Sequence, residues 1–131
     1  LRGATHIIHA GDVGGEEILR ALEAIAPVTA VRGNTDHGAW AFRLPLTQLV
    51  QAEGATLYVI HILEDLDIDP AATGVGVVIS GHSHRPAVEH RNGVLFLNPG
   101  AAGSRRFDLP VTVAHLDVVD GIPRATIVEI A

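Results

Sequence analysis

Residues 6–34 read HIIHAGDVGGEEILRALEAIAPVTAVRGN, and this stretch decides the fold class. His6 to Ala10 is a short apolar run that stops at Gly11-Asp12. From Glu16 to Ala26, the residues Ile18, Leu19, Leu22 and Ile25 recur at helical spacing, and Pro27 closes the segment. Val28 to Arg32 is a second apolar run, and it stops at Gly33-Asn34. Strand, helix and strand in that order predict two parallel strands joined by a right-handed crossover, hence an α/β chain.

Downstream, Leu46 to Ala52 and Ala55 to His61 predict a hairpin around Glu53-Gly54. The acidic stretch from Glu64 to Asp69 reads as a solvated loop, with one helical turn near Ala71. Val75 to Ser80 is almost entirely β-branched, which predicts a strand buried on both faces, and it ends in Gly81-His82-Ser83-His84. Ala87 to His90 and Val94 to Leu97 flank Asn92-Gly93, a strong signal for a two-residue hairpin. Val111 to Val118 and Arg124 to Ile130 flank a last turn at Asp120-Gly121. The second half therefore reads as mostly antiparallel. The whole predicts two packed mixed sheets with outer helices, in a single domain over residues 1–131.

Bulk composition narrows the function. With 47% hydrophobic and 18% charged residues in 131, the chain buries a real core. Its formal charge of -6 argues against sequence-independent nucleic-acid binding, which needs a basic stripe. A small phosphorylated substrate stays compatible, because bound cations reverse the local sign. Cysteine is absent, which removes disulfides, thiolate metal sites and Cys nucleophiles. No apolar stretch approaches a membrane span of roughly 20 residues, and no signal sequence opens the chain, so a cytoplasmic location is expected. Methionine is also absent, which leads us to expect that the natural chain continues upstream of Leu1.

Four apolar runs end in residues of metal-ligand type: Asp12, Asn34, His61, and the pair His82 and His84. In α/β sheets, ligands bind beyond the carboxyl ends of the strands, so four such ends on one edge form a single cluster. Gly11, Gly33 and Gly81 each precede a ligand, as close-packed exit turns require. In extended backbone, residues two apart point the same way with Cα atoms roughly 6.5 Å apart. His82 and His84 therefore suit one imidazole on each of two ions better than both on one. Mixed oxygen and nitrogen donors suit Mn, Fe, Ni, Co or Zn, with manganese the first expectation.

Ala10-Gly11-Asp12, Gly33-Asn34-Thr35-Asp36, His61, Gly81-His82-Ser83-His84 and Asn98-Pro99-Gly100 follow one another in an order that resembles the calcineurin-like metallophosphoesterases. Within these, the chain is most similar to the small bacterial and archaeal phosphodiesterases of the YfcE type. The resemblance implies a four-layer α/β/β/α sandwich holding two divalent ions. It implies Asp12 as the bridging ligand, with Asn34, His61 and His82 completing the second metal site and His84 belonging to the first. The first site's remaining ligands lie in a family Asp-X-His motif at the end of the first strand. No such motif is present in these residues, so the resemblance implies an N-terminally incomplete domain lacking that strand. An open sheet edge of that kind would favour a homo-oligomer.

Two further departures concern catalysis. Thr35 stands where many larger relatives place a His that protonates the leaving group. His61-Ile62-Leu63 replaces the usual His-Gly-His, keeping the ligand and losing a phosphate contact. The implied reaction is attack of a metal-activated hydroxide on a phosphodiester or phosphomonoester, with Asp12, Asn34 and His61 as catalytic ligands. Asp36, His37 and Arg105 are candidate substrate contacts. The rival is a non-catalytic interaction scaffold of the same fold, resembling the retromer subunit.

Plainer readings exist for each residue. Asp12 makes a good helix cap and Asn34 a good turn residue. His6, His9, His37, His90 and His115 read as ordinary histidines, although His9 and His37 lie beside ligand motifs. Arg85, Arg105 and Arg106 read first as solvated surface arginines. Only the ordered set makes the metal reading the stronger one.

Overall fold

The computed structural model describes residues 4–101 and 112–130. β1 (Ile7–His9) and β2 (Val28–Ala30) pair in parallel, with Ile7 beside Val28 and His9 beside Ala30. α1 (Glu16–Glu23) makes the crossover and lies against β2. The helix stops short of the expected Ala26. Pro27 disfavours helical backbone at the residue before it, and the N–H groups of Ile25 and Ala26 both turn back onto the Leu22 carbonyl. No periodicity announces α2 (Ala39–Phe42), a single turn following Gly38.

β3 (Thr47–Ala52) and β4 (Ala55–Ile60) form the expected hairpin. After a 3₁₀ turn at Leu63–Asp65 comes α3 (Pro70–Thr73), the helical turn foreseen near Ala71. The Asp69 carboxylate caps it by accepting from the Ala72 N–H, and Gly74 ends it at a φ of 81°. β5 (Val77–Ile79), β6 (Ala87–Arg91), β7 (Val94–Asn98), β8 (Thr112–Val119) and β9 (Ile122–Glu129) complete the described strands. The hairpin turns at Glu53-Gly54, Asn92-Gly93 and Asp120-Gly121 have positive φ at both residues. That is the turn geometry whose twist matches paired strands.

The strand pairings combine both directions, as two mixed sheets require. The main sheet runs β3-β4-β5-β7-β6, and β4, β5 and β7 are mutually parallel. Antiparallel pairing is confined to its two edges and to the β8–β9 hairpin. The reason is the segment between β4 and β5, which crosses a sheet face and returns the chain in the same direction. Val77, Val78 and Ile79 are all buried, as a central strand covered on both faces demands.

Two apolar clusters give the layers. On one face, Leu57, Val59, Val77, Ile79, Leu95 and Leu97 pack with Ala10 and Val31, and with the inward residues of β8 and β9 such as Leu116 and Ile127. On the other, Tyr58, Ile60, Val78 and Val94 are covered by Leu63, Leu66 and Ile68. The result is an α/β sandwich of mixed sheets with few helices. Among the described residues β1 pairs only with β2 and β8 only with β9. A cleft of about 920 Å³ separates them, with Ile8 on one wall and Ala114 and Leu116 on the other. No helix among the described residues is long and apolar enough to cross a membrane.

Candidate metal centre

Strand ends deliver the polar residues to one place. Asp12 leaves β1 through Gly11, Asn34 leaves β2 through Gly33, His61 follows β4, and His82 leaves β5 through Gly81. His61 Nε2 lies 2.7 Å from Asn34 Oδ1 and 3.3 Å from Asp12 Oδ2. His82 Nδ1 is 3.0 Å from the same Asn34 oxygen, and the two imidazoles meet edge to face at 5.2 Å. One potential ligand atom from each of Asp12, His61 and His82 lies within 4.8 Å of the others. His84 stands outside that group but lines the same cleft beside them.

The tautomer of His61 decides what this cluster can hold. Its Nδ1–H donates to the Ala10 carbonyl at 2.7 Å, so in the neutral ring Nε2 keeps its lone pair. That lone pair, an amide oxygen and a carboxylate oxygen then face one another. Such a set of acceptors is self-repelling alone and is satisfied by a cation. The donor chemistry therefore fits a divalent metal of the Mn, Fe, Ni, Co or Zn group. A metal-binding histidine held by a backbone carbonyl on its other nitrogen is the usual supporting arrangement.

Asp12 is prepared for the same role. Burial pushes its carboxyl up, but the hydrogen bonds from Thr35 and the nearby His61 and His82 rings outweigh that and hold it below the ordinary range. The Thr35 N–H donates to Asp12 Oδ1 at 2.9 Å. Asp12, His82 and His84 have φ of 56°, 67° and 61°, left-handed backbone that side-chain-bearing residues seldom adopt. Local strain of this sort, of order 1–3 kcal/mol per residue, concentrates at functional sites.

Several residues of the neighbourhood turn out to hold loops. The Asp36 carboxylate is buried and accepts from the Gly33 N–H at 2.9 Å and the Gly14 N–H at 3.2 Å. It joins the Asn34 loop to the Asp12 loop, a positioning task that differs from the substrate contact expected of it. The His37 ring is exposed and bonds back to the Thr35 carbonyl. Arg105 and Arg106 lie outside the described residues. His9, which reads as ordinary from sequence, lines the cleft and accepts the Gly11 N–H. Burial pushes its imidazole down, against the upward pull of Asp36 and Asp12, which favours the neutral, accepting ring.

Asn98 stood in the sequence as part of the Asn98-Pro99-Gly100 motif with no role assigned to it, and the structure gives it three bonds. Its amide donates to the Gly81 carbonyl at 3.0 Å and to Ser83 Oγ at 3.2 Å, while its Oδ1 accepts from the Gly100 N–H. It pins the loop carrying His82 and His84. Asn98→Ala is expected to lower stability by about 2 kcal/mol, since it removes the three hydrogen bonds of a buried side chain. Chemical denaturation against Glu23→Ala, a change at an exposed residue of α1, measures the loss.

The sequence model of the calcineurin-like phosphoesterase superfamily domain matches residues 1–121. The chain belongs to that superfamily. A probable metallophosphoesterase of Methanothermobacter thermautotrophicus is 33% identical over 119 residues, which is 85% of this chain and 69% of that relative. A second, from Methanocaldococcus jannaschii, is 36% identical over 122 residues, 87% of this chain and 61% of the relative, so the chain spans less than two thirds of its length. Among solved structures, a single mutant of Vps29 from Entamoeba histolytica superposes with a TM-score of 0.77 at 21% identity, covering 100% of this chain and 84% of that one. The phosphoesterase YfcE of E. coli gives 0.68 at 24% identity, covering 98% and 86%. At these identities the structural likeness is one of fold.

Proposed function

We propose that this calcineurin-like phosphoesterase is a metal-dependent hydrolase of phosphodiester or phosphomonoester bonds. The observation that carries the reading is the meeting of Asp12, Asn34, His61 and His82 with His61 Nε2 left as an acceptor. Manganese is the proposed ion; zinc is the alternative, since Vps29 of Entamoeba histolytica has been solved with it. When bound, divalent ions polarise phosphoryl oxygens and acidify a coordinated water. Asp12, held ionised, supplies negative charge to the cluster. Asn34 supplies a neutral oxygen, and the Ala10 carbonyl keeps the His61 ring in one orientation. His84, on the wall of the same cleft, is proposed as a ligand of a second ion.

The Thr35 hydroxyl cannot deliver a proton to a departing alkoxide, because it is far too weak an acid. Catalysis therefore depends on the leaving group. With Mn²⁺, the protein should release nitrophenolate from bis-p-nitrophenyl phosphate, and chelation should stop it. Thr35→His should speed poor leaving groups about a hundredfold more than good ones, the low end of what a positioned acid contributes. Equal changes across a leaving-group series would remove the missing-acid argument.

The scaffold reading draws on the likeness to Vps29. Metal binding without turnover of any diester or monoester would favour it over the hydrolase.

A further inference from the structure

We propose that His9 is a positioning residue for the metal cluster, setting the place of the Asp12 carboxylate by accepting the Gly11 N–H on its imidazole Nδ1. The inference rests on the metal-site reading above and goes one layer outward from it.

Gly11 and Asp12 have φ of 101° and 56°, two successive left-handed residues. A turn of that shape is not the relaxed state of the chain, and contacts on each side must hold it. Three are present. The Gly11 N–H donates to His9 Nδ1 at 3.2 Å, the Ala10 carbonyl accepts from His61 Nδ1 at 2.7 Å, and Asp12 Oδ1 accepts from the Thr35 N–H at 2.9 Å. The second and third tie the turn to β4 and to the Asn34 loop. The first is the turn's own closure, made by the last residue of β1.

His9 is not itself one of the clustered donors. The group that comes within 4.8 Å is Asp12, His61 and His82, and the Nδ1 lone pair of His9 is already directed at Gly11. Space also limits any movement of the turn. A Cβ on Gly11 would stand 2.5 Å from His61 Nδ1 and 2.9 Å from the Gly33 Cα, so the turn packs closely against both. If the closure is lost, the relaxation available is rotation about the turn, and that carries Asp12 with it.

Asparagine provides the discriminating replacement. In an Asx turn, a side-chain oxygen accepts the N–H two residues ahead, the same spacing as His9 to Gly11. Leucine fills similar volume and accepts nothing. Mn²⁺ titration by calorimetry on wild type, His9→Asn and His9→Leu tests the proposal, alongside melting of the metal-free proteins. His9→Leu is expected to weaken Mn²⁺ binding about 10- to 100-fold, the range for supporting residues of metal sites. His9→Asn should stay within a few-fold of wild type. Wild-type affinity in His9→Leu, or equal weakening in both variants, would overturn the positioning role. Should His9→Leu not fold, His9→Gln decides in its place. Its longer side chain does not close the same turn, so affinity equal to His9→Asn would count against the proposal. Absence of Mn²⁺ binding in wild type would instead defeat the metal reading itself, and this inference with it.

Discussion

His82→Ala should abolish tight divalent-metal binding and lower phosphodiester hydrolysis by at least a hundredfold, with almost no change in the melting temperature of the metal-free protein. The contrast follows from where His82 sits. It is exposed, and its recorded contacts are the Asn34 side-chain oxygen and the edge of the His61 ring. Alanine tolerates the left-handed backbone there only slightly less well than histidine, so the fold loses little. The cluster loses one of its two imidazoles. Loss of a direct donor should exceed the 10- to 100-fold typical for outer supporting partners. His61 would be a poorer choice, because it is buried and bonded to the Ala10 carbonyl. Its removal would mix folding with binding. Arg91→Ala is the control: Arg91 is exposed, pairs with Glu89 at 3.2 Å and lies over Phe96, away from the cluster. Calorimetric titration with Mn²⁺ on both variants gives the answer. Metal affinity in His82→Ala equal to that in Arg91→Ala would take His82 out of the site.

Much of this centre was readable from residue order alone, and for a physical reason. Apolar runs of β-branched residues mark strands, and a polar residue after a glycine marks the strand exit where parallel strands place their ligands. Hence Asp12, Asn34, His61 and His82 could be grouped before any coordinates. The supporting residues could not. The bonds of Asp36 go to backbone groups of Gly14 and Gly33, and a backbone N–H leaves no mark on sequence. Asn98 reaches Gly81 across 17 positions for the same invisible reason. Strand order was hidden in the same way: β7 lies beside β5 with β6 outside it, an order that hydrophobic pattern does not record. The end of α1 at Glu23 was set by Pro27 acting backwards along the chain, a local rule that periodicity alone overran.

The glycines before the ligands give the second large effect, and they do not all act in the same way. Gly11 has a φ of 101°, so any side chain there is strained by backbone conformation. Gly33 and Gly81 are not among the positive-φ residues, and their requirement is space. The case of Gly33 is the more severe. A Cβ built on it overlaps the backbone nitrogen and the carboxylate of Asp12, while one on Gly81 meets the Ala10 carbonyl at 3.2 Å, a tight but milder conflict. A long flexible side chain could move aside, but the Asp12 backbone is itself held by the turn at Gly11 and by Thr35. Gly33→Ala should therefore push the two ligand loops apart. Overpacking of this kind costs about 3 kcal/mol where backbone obstructs, or roughly 10 °C of melting temperature for a domain of this size. It should also separate Asp12 from Asn34 and remove metal binding. Gly76→Ala provides the comparison, because its new Cβ would lie 3.8 Å from the nearest atom, the Thr56 carbonyl oxygen. That change should be close to neutral, since alanine fits without strain and restricts the unfolded chain. Melting curves and Mn²⁺ titrations of the two variants, taken together, separate steric wedging from a general intolerance of added methyl groups. Equal melting temperatures and equal metal affinity would mean that the Asp12 and Asn34 loops are not held as close as the structure places them, and the single metal cluster would dissolve into two unrelated turns.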